Sequence, residues 1–338
     1  MSALTNVGII GFGQMGLLHA GIVNALPGSR LKAICDKESV ILRFGRRLLP
    51  SVSFYSDYRK MIDSEGLDAV FVTTPPSLHK PIVLDILRRN EQIGIFVEKP
   101  LANSFRDAVD MLDAAKKSKA TLGVGFQRRF VGTFNLAKRF LDERALGDVQ
   151  FFRAHFFSSN VLKEGKGWKF EEATGGVALE FAPHLLDLVL WYFGEPASVQ
   201  SSRKRLYSAS VEDYISSYFA YGDGLVGTVE ASWSMRRYNP YEMRIEVHGE
   251  RGMLSVNQDK LVMSIQSDFD GTPKGRMTTI HGSTINQQVP FLLSGPELVI
   301  ADQTYLSCVA SRKPSEPNFE SAAKVNKIID MIRSSPLG

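Results

Sequence analysis

The chain has 338 residues, a formal net charge of +4, and 44% hydrophobic and 22% charged residues, which predicts an ordinary globular protein of two domains and excludes a disordered or fibrous one. Lysine and arginine are spread along the chain, so nucleic acid is not a predicted partner, and no apolar run is long enough to span a bilayer, so no membrane partner is expected. Only Cys35 and Cys308 are present, which excludes a disulfide framework and fits a reducing compartment, with the cytoplasm as the default.

The first element is the apolar strand Val7-Gly8-Ile9-Ile10, so close to the first residue that no signal peptide is expected. It runs into Gly11-Phe12-Gly13-Gln14-Met15-Gly16, a turn that opens a helix. Without a Cβ, Gly11 permits the tight turn, Gly13 lets backbone N–H groups approach a pyrophosphate at the positive helix end, and Gly16 lets the helix lie close on the sheet. A second strand, Leu31 to Asp36, places a carboxylate about twenty residues after the last glycine, where it can accept both hydroxyls of an adenosine ribose. A strand, glycine turn, helix and acid in this order predict a bound nicotinamide dinucleotide. Asp36 favours NAD, while the adjacent Lys37 keeps NADP possible by pairing with its extra phosphate.

Strands and helices then alternate. Lys37 to Leu49 reads as a helix, Val52 to Tyr55 as a strand, Asp57 to Ser64 as a helix begun by Asp57, and Leu67 to Val72 as a buried strand ending in Thr73-Thr74-Pro75-Pro76. A helix from about His79 to Asn90, the strand Ile93 to Glu98, a helix capped by Ser104 and the strand Thr121 to Val124 complete a doubly wound parallel sheet, an N-terminal Rossmann domain over 1–123. Ligands of such sheets bind beyond the carboxyl ends of the strands, where Gly11, Asp36, Thr73, Thr74, Pro75, Glu98 and Lys99 all fall.

From 124 to 338 the pattern is that of an α+β domain. A helix from about Val131 to Arg144 and a strand from Val149 to Phe157 lead to an apolar helix ending at Phe193-Gly194. Period-two strands follow at Tyr214 to Tyr221, Leu225 to Trp233, Met243 to Val247 and Met253 to Val256. They predict a mainly antiparallel sheet with helices on one face and the other face open, carrying Tyr218, Val229 and Trp233. A last helix, 320–333, has Ala322, Val325, Ile329 and Ile332 on one stripe and packs back on a core.

Three groups of residues carry a resemblance: Gly-x-Gly-x-Met-Gly-x-x-His at Gly11 to His19, Thr-Pro-Pro-x-x-His at Thr74 to His79 with Glu98-Lys99-Pro100, and Gly175-Gly176 through Glu180, Pro183, His184 and Asp187. With Gly249 to Gly252, they make the chain similar, over nearly its whole length, to the Gfo/Idh/MocA family of glucose-fructose oxidoreductases and inositol dehydrogenases. The resemblance implies a dehydrogenase of sugars or polyols that self-associates through its open sheet as a homodimer or homotetramer. It also implies that Lys99 and His184 act at the reaction centre.

The chemistry of those residues agrees. Imidazole suits proton exchange at neutral pH, so His184 is the expected acid/base, with Lys99 stabilising charge on the substrate oxygen. Glu180 stands where the family usually has aspartate and is the expected partner of the imidazole, while Asp187 is expected on a sugar hydroxyl or on the same ring. Arg128 can meet a substrate carboxylate or phosphate, and Trp168 or Tyr238 can stack on a sugar face. His79 is equally a cofactor contact or a packing residue, and His19 is structural or a neighbour of the cofactor. No metal cluster is expected, since protein groups and nicotinamide can carry the reaction. Two other functions of the same fold stay open: a lyase or glycosidase that retains NAD and oxidises a sugar transiently, and a nucleotide-binding sensor without catalysis.

Overall fold

The computed structural model describes residues 4–269, 274–280 and 295–338. Strands β1 (Thr5–Ile10), β2 (Ser29–Cys35), β3 (Ser53–Tyr55), β4 (Ala69–Val72), β5 (Gly94–Val97) and β6 (Leu122–Val124) form a parallel sheet in the order β3-β2-β1-β4-β5-β6. β4 and β5 are buried at every residue, as expected of strands covered on both faces. The covering helices are α1 (Gln14–Ala25), α2 (Ser39–Leu48), α3 (Tyr58–Glu65), α4 (His79–Arg89) and α5 (Phe105–Ala115). Asp57 caps α3 by accepting from the Arg59 N–H, and Ser104 caps α5 by accepting from the Asp107 N–H, so both start signals act as expected. The order reverses between β1 and β4, which opens a crevice at their carboxyl ends.

The described residues fall into two compact units, and the division differs from the contiguous one expected. The first unit is Met1–Phe126 with Thr284–Ala323; the second is Gln127–Ser283 with Lys324–Gly338. Helix α9 (Pro296–Ser311), in a segment assigned no element from sequence, therefore belongs with the parallel sheet. Its Leu298, Val299, Tyr305 and Leu306 share a core with Val7, Ile9, Phe71 and Phe96. Glycines make room for it: a Cβ at Gly94 would lie 2.9 Å from the Tyr305 hydroxyl, and one at Gly123 2.6 Å from its ring.

In the second unit, strands β7 (Val149–Ser158), β8 (Ser198–Lys204), β9 (Tyr214–Ala220), β10 (Val226–Ser232), β11 (Tyr241–Gly249), β12 (Gly252–Asn257), β13 (Lys260–Ile265) and β14 (Gly275–Ile280) form one sheet. Its order is β14-β13-β12-β11-β7-β10-β9-β8, and every neighbouring pair is antiparallel except β10 on β7. Helices α6 (Gly132–Asp142), α7 (Val177–Glu180) and α8 (Pro183–Phe193) pack on one face.

The expected content of the open face needs correction. Tyr218, 45% exposed, lies on it opposite Thr228. Val229 is one residue out of step with Thr228 and turns inward with Gly227 and Ala231, fully buried. Trp233 is also buried, its indole donating to Asp213 Oδ1 at 2.8 Å. Helix α10 (Phe319–Arg333) buries the expected stripe of Ala322, Val325, Ile329 and Ile332. Among the described residues no helix is long and apolar enough to cross a membrane.

Candidate active site

The glycine turn has the geometry a dinucleotide requires. Gly11 adopts φ +92°, and a Cβ at Gly16 would fall 2.0 Å from the Gly11 carbonyl oxygen, so α1 approaches the turn as only glycine allows. The space beside Gly13 is open to 4 Å, and no side chain caps the α1 N-terminus. That leaves the positive end of the helix to an anion. Thr73 Oγ1 donates to the Gly11 carbonyl at 2.6 Å, tying the end of β4 to the turn, and the Thr74 hydroxyl oxygen beside it is buried without a hydrogen-bond partner. Asp36 follows β2; its Oδ2 accepts from the Phe12 N–H at 2.7 Å and its Oδ1 from the Glu38 N–H at 2.9 Å. The carboxylate is thus fixed beside the turn, and Lys37 is exposed. These residues fit NAD.

Lys99 leaves the end of β5 half-buried. Its N–H donates to Glu98 Oε2 at 3.1 Å, and Glu98 Oε1 meets His19 Nε2 at 3.0 Å. His19 in turn lies 2.8 Å from Asp302 Oδ2 in α9. Burial, the largest influence, disfavours charge on this ring, but Asp302 and then Glu98 outweigh it and raise its pKa from 6.5 to about 10.

His79, equally a cofactor contact or a packing residue from sequence, is a brace between two loops. Its Nε2 lies 2.8 Å from the Thr74 carbonyl and its Nδ1 3.1 Å from that of Pro100. The ring is fully buried, and that burial pushes its pKa down although the carbonyls oppose the shift.

In the second unit, the single apolar helix expected around His184 is two helices. α7 ends at Glu180 and Pro183 starts α8, because proline fits the first turn and cannot continue the preceding one. Glu180 and His184 therefore stand on different helices, and Glu180 Oε1 accepts from Lys169 Nζ at 2.7 Å. His184 is buried in the first turn of α8.

Asp187, expected on a sugar hydroxyl or on the His184 ring, is held by an arginine. It is fully buried, with both oxygens accepting from Arg129. Arg128 lies 5.0 Å over the Tyr241 ring, Trp168 is half-buried under the Lys169 ammonium, and Tyr238 packs on Phe157.

The Gly175-Gly176 pair has a local cause. A Cβ on Gly175 would meet the Lys169 carbonyl at 2.0 Å, and one on Gly176, at φ +95°, would meet Glu212 Oε1 at 2.4 Å. Glu212 Oε1 accepts from the Ala178 N–H and so caps α7. Sequence reasoning missed Arg129, Glu212 and Asp302. Their only signal is burial of a charge, which depends on partners distant along the chain. Among the described residues no group of three His, Cys, Asp or Glu could hold a metal ion.

Two family models match. One, described as an oxidoreductase family with an NAD-binding Rossmann fold, covers residues 5–126; the other, the GFO/IDH/MocA C-terminal domain, covers 134–255. A scyllo-inositol 2-dehydrogenase (NAD(+)) of Bacillus subtilis is 27% identical over 279 residues, 78% of this chain and 79% of that protein. A levoglucosan dehydrogenase of Pseudarthrobacter phenanthrenivorans is 26% identical over 302 residues, 78% of this chain and 77% of its own. A solved levoglucosan dehydrogenase in complex with NADH and levoglucosan superposes with TM-score 0.84 at 24% identity, covering 97% of this chain and 96% of that one.

Proposed function

This chain belongs to the GFO/IDH/MocA family of oxidoreductases, and on that premise we propose that it moves hydride reversibly between NAD and a hydroxyl-bearing carbon of a sugar, polyol or sugar derivative. The observation that carries the reading is that the glycine turn, Asp36 and Lys99 all follow carboxyl ends of strands in one parallel sheet. The printed activities of the inositol and levoglucosan dehydrogenases support a polyhydroxylated substrate.

Gly11 to Gly16 receive the pyrophosphate and Asp36 the adenosine ribose. When bound, the nicotinamide supplies the hydride acceptor or donor. His184 takes the hydroxyl proton in oxidation and returns it in reduction, and the Lys99 ammonium donates to the oxygen where negative charge develops. Arg128 is assigned to an anionic substituent of the substrate and Trp168 to a sugar face. The fixed carboxylate of Asp36 disfavours the extra phosphate of NADP. The proposed compartment is the cytoplasm, with no nucleic-acid partner.

The open face of the second sheet is assigned to self-association in a homodimer or homotetramer. There the Phe151 and His248 rings stack at 4.3 Å and Tyr218 stands exposed. Light scattering at micromolar concentration tests it, and a monomer overturns it.

The reaction is tested by NADH absorbance across cyclic polyols, aldoses, uronic acids and sugar nucleotides, for wild type and Lys99→Ala. Turnover by the wild type, lost about 100-fold or more in the variant with NAD affinity kept, is expected. Absence of net NADH from every substrate overturns the reading.

A further inference from the structure

Three ionisable groups are buried together at the end of β5 in the first unit, and the proposed chemistry uses none of them directly. His19 of α1 has no exposure, Glu98 has 5% and Asp302 of α9 has none. The imidazole bridges the two carboxylates, at 3.0 Å to Glu98 and 2.8 Å to Asp302, with Phe71 and Phe96 packed on it at centroid distances of 5.2 and 5.3 Å. The remaining Glu98 oxygen accepts from the Lys99 N–H, and the Glu98 carboxylate sits where a Cβ on Gly125 would meet it at 2.8 Å. Asp302 lies outside both segments matched by the family models.

We propose that Asp302 is a positioning residue for hydride transfer: through His19 it fixes the Glu98 carboxylate, which holds the Lys99 peptide and so aims the Lys99 side chain. The chain is short and rigid. A buried carboxylate facing one cation on one side and a backbone N–H on the other has a single satisfied orientation, and that orientation sets where β5 ends. Neutralising Asp302 removes the anchor on the far side of the imidazole, frees the ring and Glu98 to reorient, and loosens the Lys99 peptide. The assignment of Lys99 to catalysis rests on the function proposed above; the strut itself does not.

The experiment compares Asp302→Asn, Asp302→Glu and Tyr305→Phe by amide hydrogen exchange at Lys99, by kcat and by the KM for NAD+. Tyr305 is the control, a buried residue one turn along α9 whose hydroxyl donates to the Thr121 carbonyl at 3.3 Å, and whose ring contacts with Phe71 and Phe96 the substitution keeps. Asp302→Asn is expected to exchange Lys99 about tenfold faster and to lower kcat about 100-fold, with KM for NAD+ changed less than about threefold. Asp302→Glu recovers part of both, and Tyr305→Phe changes neither. Where Asp302→Asn does not accumulate as folded protein, His19→Gln/Asp302→Leu removes the carboxylate together with the ring it faces, with the same expectation.

Lys99 exchange and kcat in Asp302→Asn equal to those of Tyr305→Phe overturn the proposal. A wild type that turns over no sugar overturns the proposed dehydrogenase instead, and the Lys99 exchange rate then decides the strut alone.

Discussion

Asp187 accepts both hydrogen bonds of a bidentate pair from Arg129, Oδ1 from Nη2 at 2.6 Å and Oδ2 from Nε at 2.9 Å, and the carboxylate is closed to solvent. Arg129 also lies 5.3 Å over the Trp191 ring on the same helix, so one guanidinium grips α8 at two points. Removing one partner strands a buried charge. Asp187→Asn is expected to lower stability by about 3–5 kcal/mol in urea denaturation, whereas Arg129→Met with Asp187→Leu restores most of it. A double variant no more stable than the single one contradicts this account.

In the proposed function Asp36 sets nucleotide choice, through a carboxylate held by two backbone N–H groups. Replacement by Ser removes the acceptor for the ribose hydroxyls and the charge that repels a phosphate. NADH fluorescence titration is expected to show NAD(H) affinity weakened about 10- to 100-fold and the preference over NADP(H) narrowed or reversed. Unchanged discrimination would show that Asp36 does not set it.

Gly176→Ala meets two costs at once: φ +95° for a residue with a side chain, and a Cβ 2.4 Å from Glu212 Oε1. Displacing Glu212 also uncaps α7. A loss of about 2 kcal/mol or more is expected in thermal or chemical unfolding. Gly13→Ala, with open space around its Cβ position, is expected to leave stability almost intact and to weaken dinucleotide binding, so the pair separates the scaffold from the ligand loop.

His19 makes stability pH-dependent on the alkaline side. The folded protein keeps its proton up to about pH 10, and the unfolded chain releases it near 6.5. Between those values the folded state binds more protons, so this contribution is complete below about 6.5 and fades as pH rises towards 10. The melting temperature of the wild type is expected to fall across that window, and Asp302→Asn to show a flatter dependence. Equal slopes for the two proteins would remove the imidazolium from the account.

Signals carried within a few residues were legible. Asp57 and Ser104 cap the helices expected of them, and Gly11 and Gly16 adopt the geometry their motif requires. Long-range pairings were not. Asp302 is 283 residues from His19, and neither sequence neighbourhood announces the other. Helix α9 is seated by residues far from it along the chain, Val7 and Ile9 against its Leu298 and Val299 and the space left by Gly94 and Gly123 for its Tyr305, so its own stretch does not announce it. Alternation placed Tyr218 on the open face, but Val229 was assigned one register off, an error that in a strand reverses the face. The exposed edge strand β8, mostly polar, carries no apolar stripe to reveal it.

Because α9 completes the core of the parallel-sheet unit, the nucleotide-binding half is encoded by two separated stretches of the gene. A fragment cut after Phe126 would leave the Phe71 and Phe96 rings without the Tyr305 edge and His19 without one of its two counter-charges. A crossover that swaps the cofactor half of this chain intact therefore needs a second one that brings the late helix along.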